Sequence, residues 1–198
     1  MTTISRSNVS YESMDFTVNR YHAMIDSGVL GPDDRVELLH GKIVPMSPVG
    51  RLHAACVLAF QEHFYERHLG QFTIRTQDPI TLSPLSEPQP DVVVARYDPG
   101  RYVQGHPSPK DIHLVIEVSD RTLEKDQTLK LEIYARAGIA EYWIVNLVER
   151  QFLVYTHPTE DGDYLEREVY EEGQRFEHEL LGTIDITSYL PRLLPPVG

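Results

Sequence analysis

The spacing of apolar residues along the chain predicts three helices separated by strands. Helical spacing is clearest in the second of these segments, where alanine, leucine and phenylalanine recur every three or four positions. A glycine follows each segment closely, at a place where it can end a helix. The predicted helices are residues 18–26, 52–68 and 122–137.

Short runs of β-branched and aromatic residues predict the strands. Residues 35–46 predict a hairpin that turns at His40-Gly41. The run IHLVIEVS at residues 112–119 is the strongest strand pattern, because it is apolar for almost its whole length. Further strands are predicted at residues 72–77, 92–95, 141–147 and 151–157 and near Ile184.

This order of elements is typical of an α/β fold with a mixed central sheet flanked by helices. A chain of 198 residues fits one domain, so residues 1–198 are expected to form a single domain. Residues 1–14 are expected to be a loose arm. Residues 158–182 are expected to be an acidic hairpin appended to that domain.

The composition argues against several classes of protein. Hydrophobic residues make up 41% of the chain, which is enough for a buried core, and no apolar run approaches the roughly 20 residues that span a bilayer. The polar start carries no signal-peptide pattern. The single cysteine, Cys56, cannot form an internal disulfide and fits a reducing compartment. We therefore expect a cytoplasmic protein without a membrane partner.

The net charge of −12 counts against passive binding to nucleic acid, because phosphate contacts need lysine and arginine. The charge is uneven, however. Residues 160–179 hold nine acids and two bases, a net charge of −7, so the rest of the chain carries −5. The body of the chain is therefore close enough to balance for DNA to stay a candidate partner.

Three charged residues lie where the pattern predicts burial. Asp91 precedes the strand VVVA, Glu117 interrupts the strand LVIEVS, and Lys130 lies on the helix that follows. A buried carboxylate is costly unless it is paired or binds a metal ion, and two on neighbouring strands repel each other unless a cation lies between them. The chain has no glycine-rich phosphate loop, cysteine pair, HExxH or Gly-x-Ser-x-Gly motif. Acid-based metal chemistry is what remains, and Mg²⁺ prefers such oxygen ligands.

The positions of Glu117 and Lys130 allow their side chains to meet. Strand alternation places Val115, Glu117 and Ser119 on one face of the sheet. The helix rises about 1.5 Å per residue and the strand covers about 3.3 Å. A helix that turns back along the strand therefore brings Lys130 level with Glu117. Asp126 lies one helical turn before Lys130 and is a second candidate partner for its charge.

Three segments of the chain resemble a known family. PQPDVVVA and LVIEVSDRTLEKDQTLKLEIYARAGIAEYWIVN, with the upstream RVELLHGKIVPMSPVGRLH, resemble the Uma-type restriction endonucleases within the PD-(D/E)XK nuclease superfamily. The resemblance spans residues 35–146. It implies a restriction-endonuclease-like fold and a metal-dependent endonuclease that hydrolyses DNA phosphodiester bonds. In the superfamily a Pro-Asp is followed on the next strand by Asp/Glu-x-Lys, and here Ser119 stands where the lysine is expected.

The same resemblance implies roles for individual residues. Asp91 and Glu117 are expected to bind Mg²⁺, with Mn²⁺ as the alternative ion and the carbonyl of Val118 as a further ligand. Lys130 would replace the displaced lysine, orienting the attacking water or stabilising the phosphate. Glu37 matches an upstream acid that supports the metal or its water. DNA is the expected substrate, and a homodimer would allow two strands to be cut.

Structural roles stay open for each of these residues. Asp91 can cap backbone amides after a proline, Glu117 and Lys130 can form a buried ion pair, and Glu37 can lie in an ordinary salt bridge. His53 at a helix start is more often a core histidine than a site residue.

Two other functions also stay open. The acidity and Ser119 favour a non-catalytic nucleic-acid- or protein-binding module on the same fold. The third alternative is a metal-dependent phosphoesterase that acts on something other than DNA.

Overall fold

The computed structural model describes residues 14–192. Within them the predicted helix at residues 18–26 and the hairpin at His40-Gly41 are confirmed. The other predicted strand ends agree to within a residue or two. The predicted arm of residues 1–14 lies outside the described residues except for its last position. The helices are α1 Val18–Asp26, α2 Arg51–His68, α3 Leu123–Lys125, α4 Leu131–Arg136 and α5 Ile186–Tyr189.

In the described part of the chain, ten strands make one large sheet and two small ones. The large sheet is mixed and has the order β3-β4-β5-β6-β7-β8, in which only β5 and β6 run parallel. The remaining strands pair as the hairpins β1-β2 and β9-β10. The strands are β1 Val36–Leu39, β2 Lys42–Pro45, β3 Phe72–Thr76, β4 Val92–Arg96, β5 Ile112–Ser119, β6 Glu141–Asn146, β7 Gln151–Pro158, β8 Tyr164–Glu171, β9 Arg175–His178 and β10 Gly182–Asp185.

The two faces of the large sheet carry separate cores. Alternate residues of β5 divide between them, so that Leu114, Ile116 and Val118 pack towards α2 and α5. Val115 packs on the other face, towards α4. The α/β class with a mixed central sheet and flanking helices is therefore confirmed. The central strands are buried on both faces, which is why their sequences are apolar throughout rather than alternating.

Part of the segment predicted as an acidic hairpin belongs to the central sheet. β8 pairs with β7 from Gln151↔Glu171 to Pro158↔Tyr164 and forms the sheet's edge. Only its first residue, Tyr164, is buried. An edge strand of this kind is held by backbone hydrogen bonds and leaves its charges in water, which also discourages pairing with another chain.

The helix predicted at residues 122–137 is not one continuous α-helix. A π-helical turn, Asp126–Lys130, separates α3 from α4. Both end residues of this turn, Asp126 and Lys130, are buried and hydrogen-bonded to side chains beneath them. Single π-turns of this kind are rare and occur frequently at functional sites. Within residues 14–192, we find no helix with the length and apolar character that a membrane crossing requires.

Candidate active site

Asp91 and Glu117 face each other across two neighbouring antiparallel strands. Val92 of β4 pairs with Ile116 of β5, and the register continued by one position sets Asp91 opposite Glu117. Side chains that are directly opposite share a face of the sheet, with Cβ atoms about 4.5–5.5 Å apart. Both residues are buried. The side chains of two acids from separate segments therefore lie next to each other.

Glu117 accepts two hydrogen bonds from the helix above it. Lys130 Nζ lies 2.7 Å from Glu117 Oε1, and the Tyr134 hydroxyl donates to the same oxygen at 2.6 Å. Among residues 14–192, no hydrogen bond reaches Oε2 of Glu117. One oxygen of this buried carboxylate is therefore left for another ligand.

Asp91 is oriented by a histidine and by the backbone of the next strand. His53 Nε2, at the start of α2, lies 2.7 Å from Asp91 Oδ1, and the Val118 amide N–H donates to Oδ2 at 2.8 Å. A carboxylate oxygen carries more than one lone pair, so both oxygens can still bind a cation. Val118 thus touches the site through its amide nitrogen.

Glu37 reaches the site from the β1-β2 hairpin. Its Oε1 accepts a hydrogen bond from Lys125 Nζ at 3.0 Å. Its Oε2 lies 3.3 Å from Lys130 Nζ and accepts the Gln89 amide N–H at 3.2 Å. Lys130 therefore bridges Glu37 and Glu117, and the four residues predicted as catalytic all come together.

Asp126 adds a further buried carboxylate on the same side of the sheet. Its Oδ2 accepts hydrogen bonds from the hydroxyls of Ser119 and Thr122, both at 2.6 Å. Ser119, at the position where the superfamily pattern has lysine, therefore donates a hydrogen bond to an acid and brings no positive charge.

These residues line a pocket with an excess of negative charge. The cavity measures about 50 Å³, which exceeds the 10–15 Å³ that one water molecule needs. Of the residues that the structure describes, five acids and three bases line it, which gives a net charge of −2 when these groups are ionised and His53 is neutral. The acids are Glu37, Asp91, Glu117, Asp120 and Asp126, and the bases are Arg35, Lys125 and Lys130.

The pKa shifts follow from this burial and crowding. Burial raises the pKa of Glu117 to about 8; Lys130 opposes the shift, and Asp126, Asp91 and Glu37 reinforce it. Burial also raises the pKa of Asp126, against the effect of Lys130. Burial alone would lower the pKa of Lys130, but the carboxylates around it outweigh burial and raise it. The lysine therefore stays charged while one carboxyl resists ionisation, as expected for a site that is short of positive charge.

The donor set fits a hard divalent cation. Such ions take oxygen ligands, and Mg²⁺ is usually held by one or two carboxylates with water at the remaining positions. The pocket supplies two facing carboxylates, room for water and a charge deficit that one divalent ion would cancel.

The sequence did not single out two residues that contact this cluster. Lys125 is a hydrogen-bond partner of Glu37. Tyr134 is buried, and its hydroxyl donates a hydrogen bond to Glu117. For Tyr134 the available signal was its position four residues after Lys130, on the same face of the helix. His53, for which a core position was the prediction, contacts Asp91.

Comparison with known proteins gives one family and one related fold. The family model Uma2, with the description "Putative restriction endonuclease", matches residues 18–188. A crystal structure at 1.96 Å resolution, of a "putative nuclease belonging to DUF820" from Anabaena variabilis ATCC 29413, matches with a TM-score of 0.64. The two chains are 15% identical, and the match covers 88% of this chain and 97% of the other. At that identity the likeness shows the fold alone. The comparison with curated proteins gives no match.

Proposed function

The chain belongs to the Uma2 family of restriction-endonuclease-like proteins, and from this premise we propose that it is a metal-dependent endonuclease that hydrolyses DNA phosphodiester bonds. The observation that carries the proposal is the position of Asp91 and Glu117 in one negatively charged pocket, with the Lys130 ammonium 2.7 Å from Glu117. We propose Mg²⁺ as the natural ion, with Mn²⁺ able to replace it.

The chemistry that a bound Mg²⁺ supplies in such a site is polarisation of the scissile phosphate and a lowered pKa of water. Asp91 and Glu117 would hold the ion, and the Val118 carbonyl stays the predicted third ligand. Lys130 would add fixed positive charge beside the phosphate, which stabilises the negative charge that develops during hydrolysis. Glu37 would keep Lys130 in place through their 3.3 Å contact. His53 would orient Asp91.

Cleavage of supercoiled plasmid DNA tests the proposal. We expect nicked or linear products with Mg²⁺ or Mn²⁺ and none with EDTA. Asp91→Asn and Glu117→Gln should each lower the rate by at least about 100-fold, as expected when an electrostatic contribution of about 3 kcal/mol is lost. Glu132→Gln is a matched control, because Glu132 is half-exposed and pairs with Arg136 outside the pocket. Equal cleavage by the wild type and the two pocket variants would remove the proposed site.

The non-catalytic alternative is supported by Ser119, which brings no charge into the pocket, and by the net charge of −12. It predicts no Mg²⁺ binding by calorimetry and no metal-dependent cleavage. Cleavage of RNA or nucleotide phosphodiesters, but not of DNA, would point to the third alternative. A cytoplasmic homodimer acting on both strands, built as a single domain, stays part of the proposal, and sedimentation with and without DNA tests the dimer.

A further inference from the structure

A second group of metal-binding side chains lies outside the pocket described above. His22, Glu87 and His106 each offer a ligand atom, and these atoms all lie within 4.8 Å of one another. His22 Nε2 is 2.6 Å from Glu87 Oε1. The rings of His22 and His106 meet edge to face, with centroids 6.3 Å apart. Three donors from distant parts of the sequence therefore converge.

Glu87 is held rigidly at the base of this group. Its side chain is 2% exposed, and its backbone forms a β-bridge with Leu38 of β1. Its second oxygen, Oε2, accepts a hydrogen bond from the Thr81 hydroxyl at 2.6 Å. Supporting hydrogen bonds of this kind orient a carboxylate that binds a metal. The buried negative charge also needs a positive partner.

The two histidines approach Glu87 from two different elements of the fold. His22 lies on α1, and His106 lies in the loop between β4 and β5. Both rings are partly exposed. Ion and water can therefore reach the open side of the group without any rearrangement of the core.

We propose that His22, Glu87 and His106 form a binding site for a transition-metal ion of the Zn²⁺ class, separate from the Asp91–Glu117 pocket. Two imidazoles and one carboxylate are a ligand set that Zn²⁺ takes with a water molecule in the fourth position. Imidazole suits Zn²⁺ and its neighbours in the periodic table, whereas Mg²⁺ and Ca²⁺ prefer oxygen ligands. The two sites therefore differ in the kind of ion they select.

Arg75 brings a positive charge close to the proposed site. Arg75 Nη2 is 3.5 Å from His106 Nδ1, and it also pairs with Asp78 at 3.3 Å. Asp78 offsets the repulsion that the guanidinium would exert on a bound cation. We therefore expect Arg75→Gln to strengthen Zn²⁺ binding, by a few-fold.

A metal ion at this site would fasten α1 and the β4-β5 loop to the body of the protein. The segment that carries Glu87 also leads into the first pocket, since Gln89 donates to Glu37 and Asp91 lies four residues after Glu87. Such an ion would join three segments and stabilise the base from which the Asp91 segment starts.

A calorimetric titration of the metal-free protein with Zn²⁺ tests the site. The wild type should bind one equivalent more than the His22→Ala, His106→Ala double variant. His157→Ala is the matched control. His157 is exposed and contacts Thr156 and Glu166, which do not belong to the proposed site. The Asp91→Asn variant should still bind the Zn²⁺ equivalent that the double variant loses. This result would show that the site is distinct from the first pocket. The comparison of variants also corrects for Zn²⁺ bound at other histidines, such as His63 and His68.

Two further measurements keep the test decisive. Co²⁺ should give the wild type a visible absorption spectrum typical of nitrogen and oxygen ligands at low coordination number, and the double variant should lose it. The milder variant His22→Gln changes a half-exposed side chain, so its fold should survive, and circular dichroism checks this. Zn²⁺ should raise the melting temperature of the wild type by about 5–10 °C at a hundred times its dissociation constant. Equal stoichiometry and equal Co²⁺ spectra in wild type, double variant and His22→Gln would overturn the proposal.

Discussion

Replacing Glu117 by glutamine tests whether the pocket is built for a cation or for its own ion pairs. The pKa of Glu117 is raised from 4.5 to about 8, first by burial and then by neighbouring carboxylates, against Lys130. A carboxyl whose pKa is higher in the folded state makes the protein less stable as the pH rises from 4.5 to about 8. Above that window the loss is complete and stays constant.

The size of the effect follows from the shift. Each unit of pKa corresponds to about 1.4 kcal/mol, so ionising Glu117 removes about 5 kcal/mol of stability at pH 9. Glutamine cannot ionise, and its amide oxygen can still accept from Lys130 and Tyr134. Part of this gain in stability is lost, because an amide is a weaker hydrogen-bond partner for Lys130 than a carboxylate. We expect metal-free Glu117→Gln to be more stable than the wild type by about 2–4 kcal/mol at pH 9, with a smaller difference at pH 6.

The assay is urea unfolding at pH 6 and pH 9, in EDTA and in excess MgCl₂. For a chain of this length the metal-free gain corresponds to a melting temperature about 4–16 °C higher. Mg²⁺ should stabilise the wild type by about 2.7 kcal/mol at a hundred times its dissociation constant and leave Glu117→Gln unchanged. Glu132→Gln should follow the wild type throughout. A loss of about 3–5 kcal/mol in metal-free Glu117→Gln at pH 9, the usual effect of breaking a structural buried ion pair, would mean that Glu117 serves that ion pair and not a cation.

Further predictions concern the same cluster. Lys130→Met should destabilise the metal-free protein by about 3–5 kcal/mol in urea unfolding, because it leaves Glu37 and Glu117 buried without their shared cation; Mg²⁺ should restore part of the loss, and a neutral effect contradicts the pairing. The pKa of His53, measured by NMR titration, should lie above 6.5, because the hydrogen bond and charge of Asp91 outweigh burial, and it should fall in Asp91→Asn. The His53–Asp91 contribution to stability should therefore be full below pH 6.5 and disappear as the pH rises through the folded-state pKa. Mg²⁺ affinity, measured by calorimetry, should increase from pH 6 to about pH 8, where the ion no longer competes with the Glu117 proton; an affinity independent of pH contradicts this.

The sequence predicted the interior of the fold well, because that part depends on local patterns. The strand at residues 112–119 is apolar throughout and the helix at 18–26 has a clear stop, and both appear as predicted. β8 was harder to place. Its side chains are exposed at nearly every position, so its membership of the sheet depends on backbone pairing that leaves little trace in the sequence.

The meeting of Asp91, Glu117 and Lys130 also follows from periodicity, since strand alternation and helical rise fix which side chains can face one another. The π-turn that separates α3 from α4 does not, because it depends on a small difference in backbone energy. The contact of Glu37 with Lys125, 88 positions away, depends on how the β1-β2 hairpin packs. The group of His22, Glu87 and His106 could not be predicted either, because it also depends on how distant segments pack.

A crystal grown with Mn²⁺, and measured at a wavelength where manganese scatters anomalously, would show whether the pocket binds the ion. We expect a peak between the facing carboxylates of Asp91 and Glu117, at about 2.0–2.3 Å from an oxygen of each, with Lys130 still beside Glu117. A crystal that shows no peak there, or a peak only at His22, Glu87 and His106, would contradict the claim that the pocket holds the ion needed for cleavage.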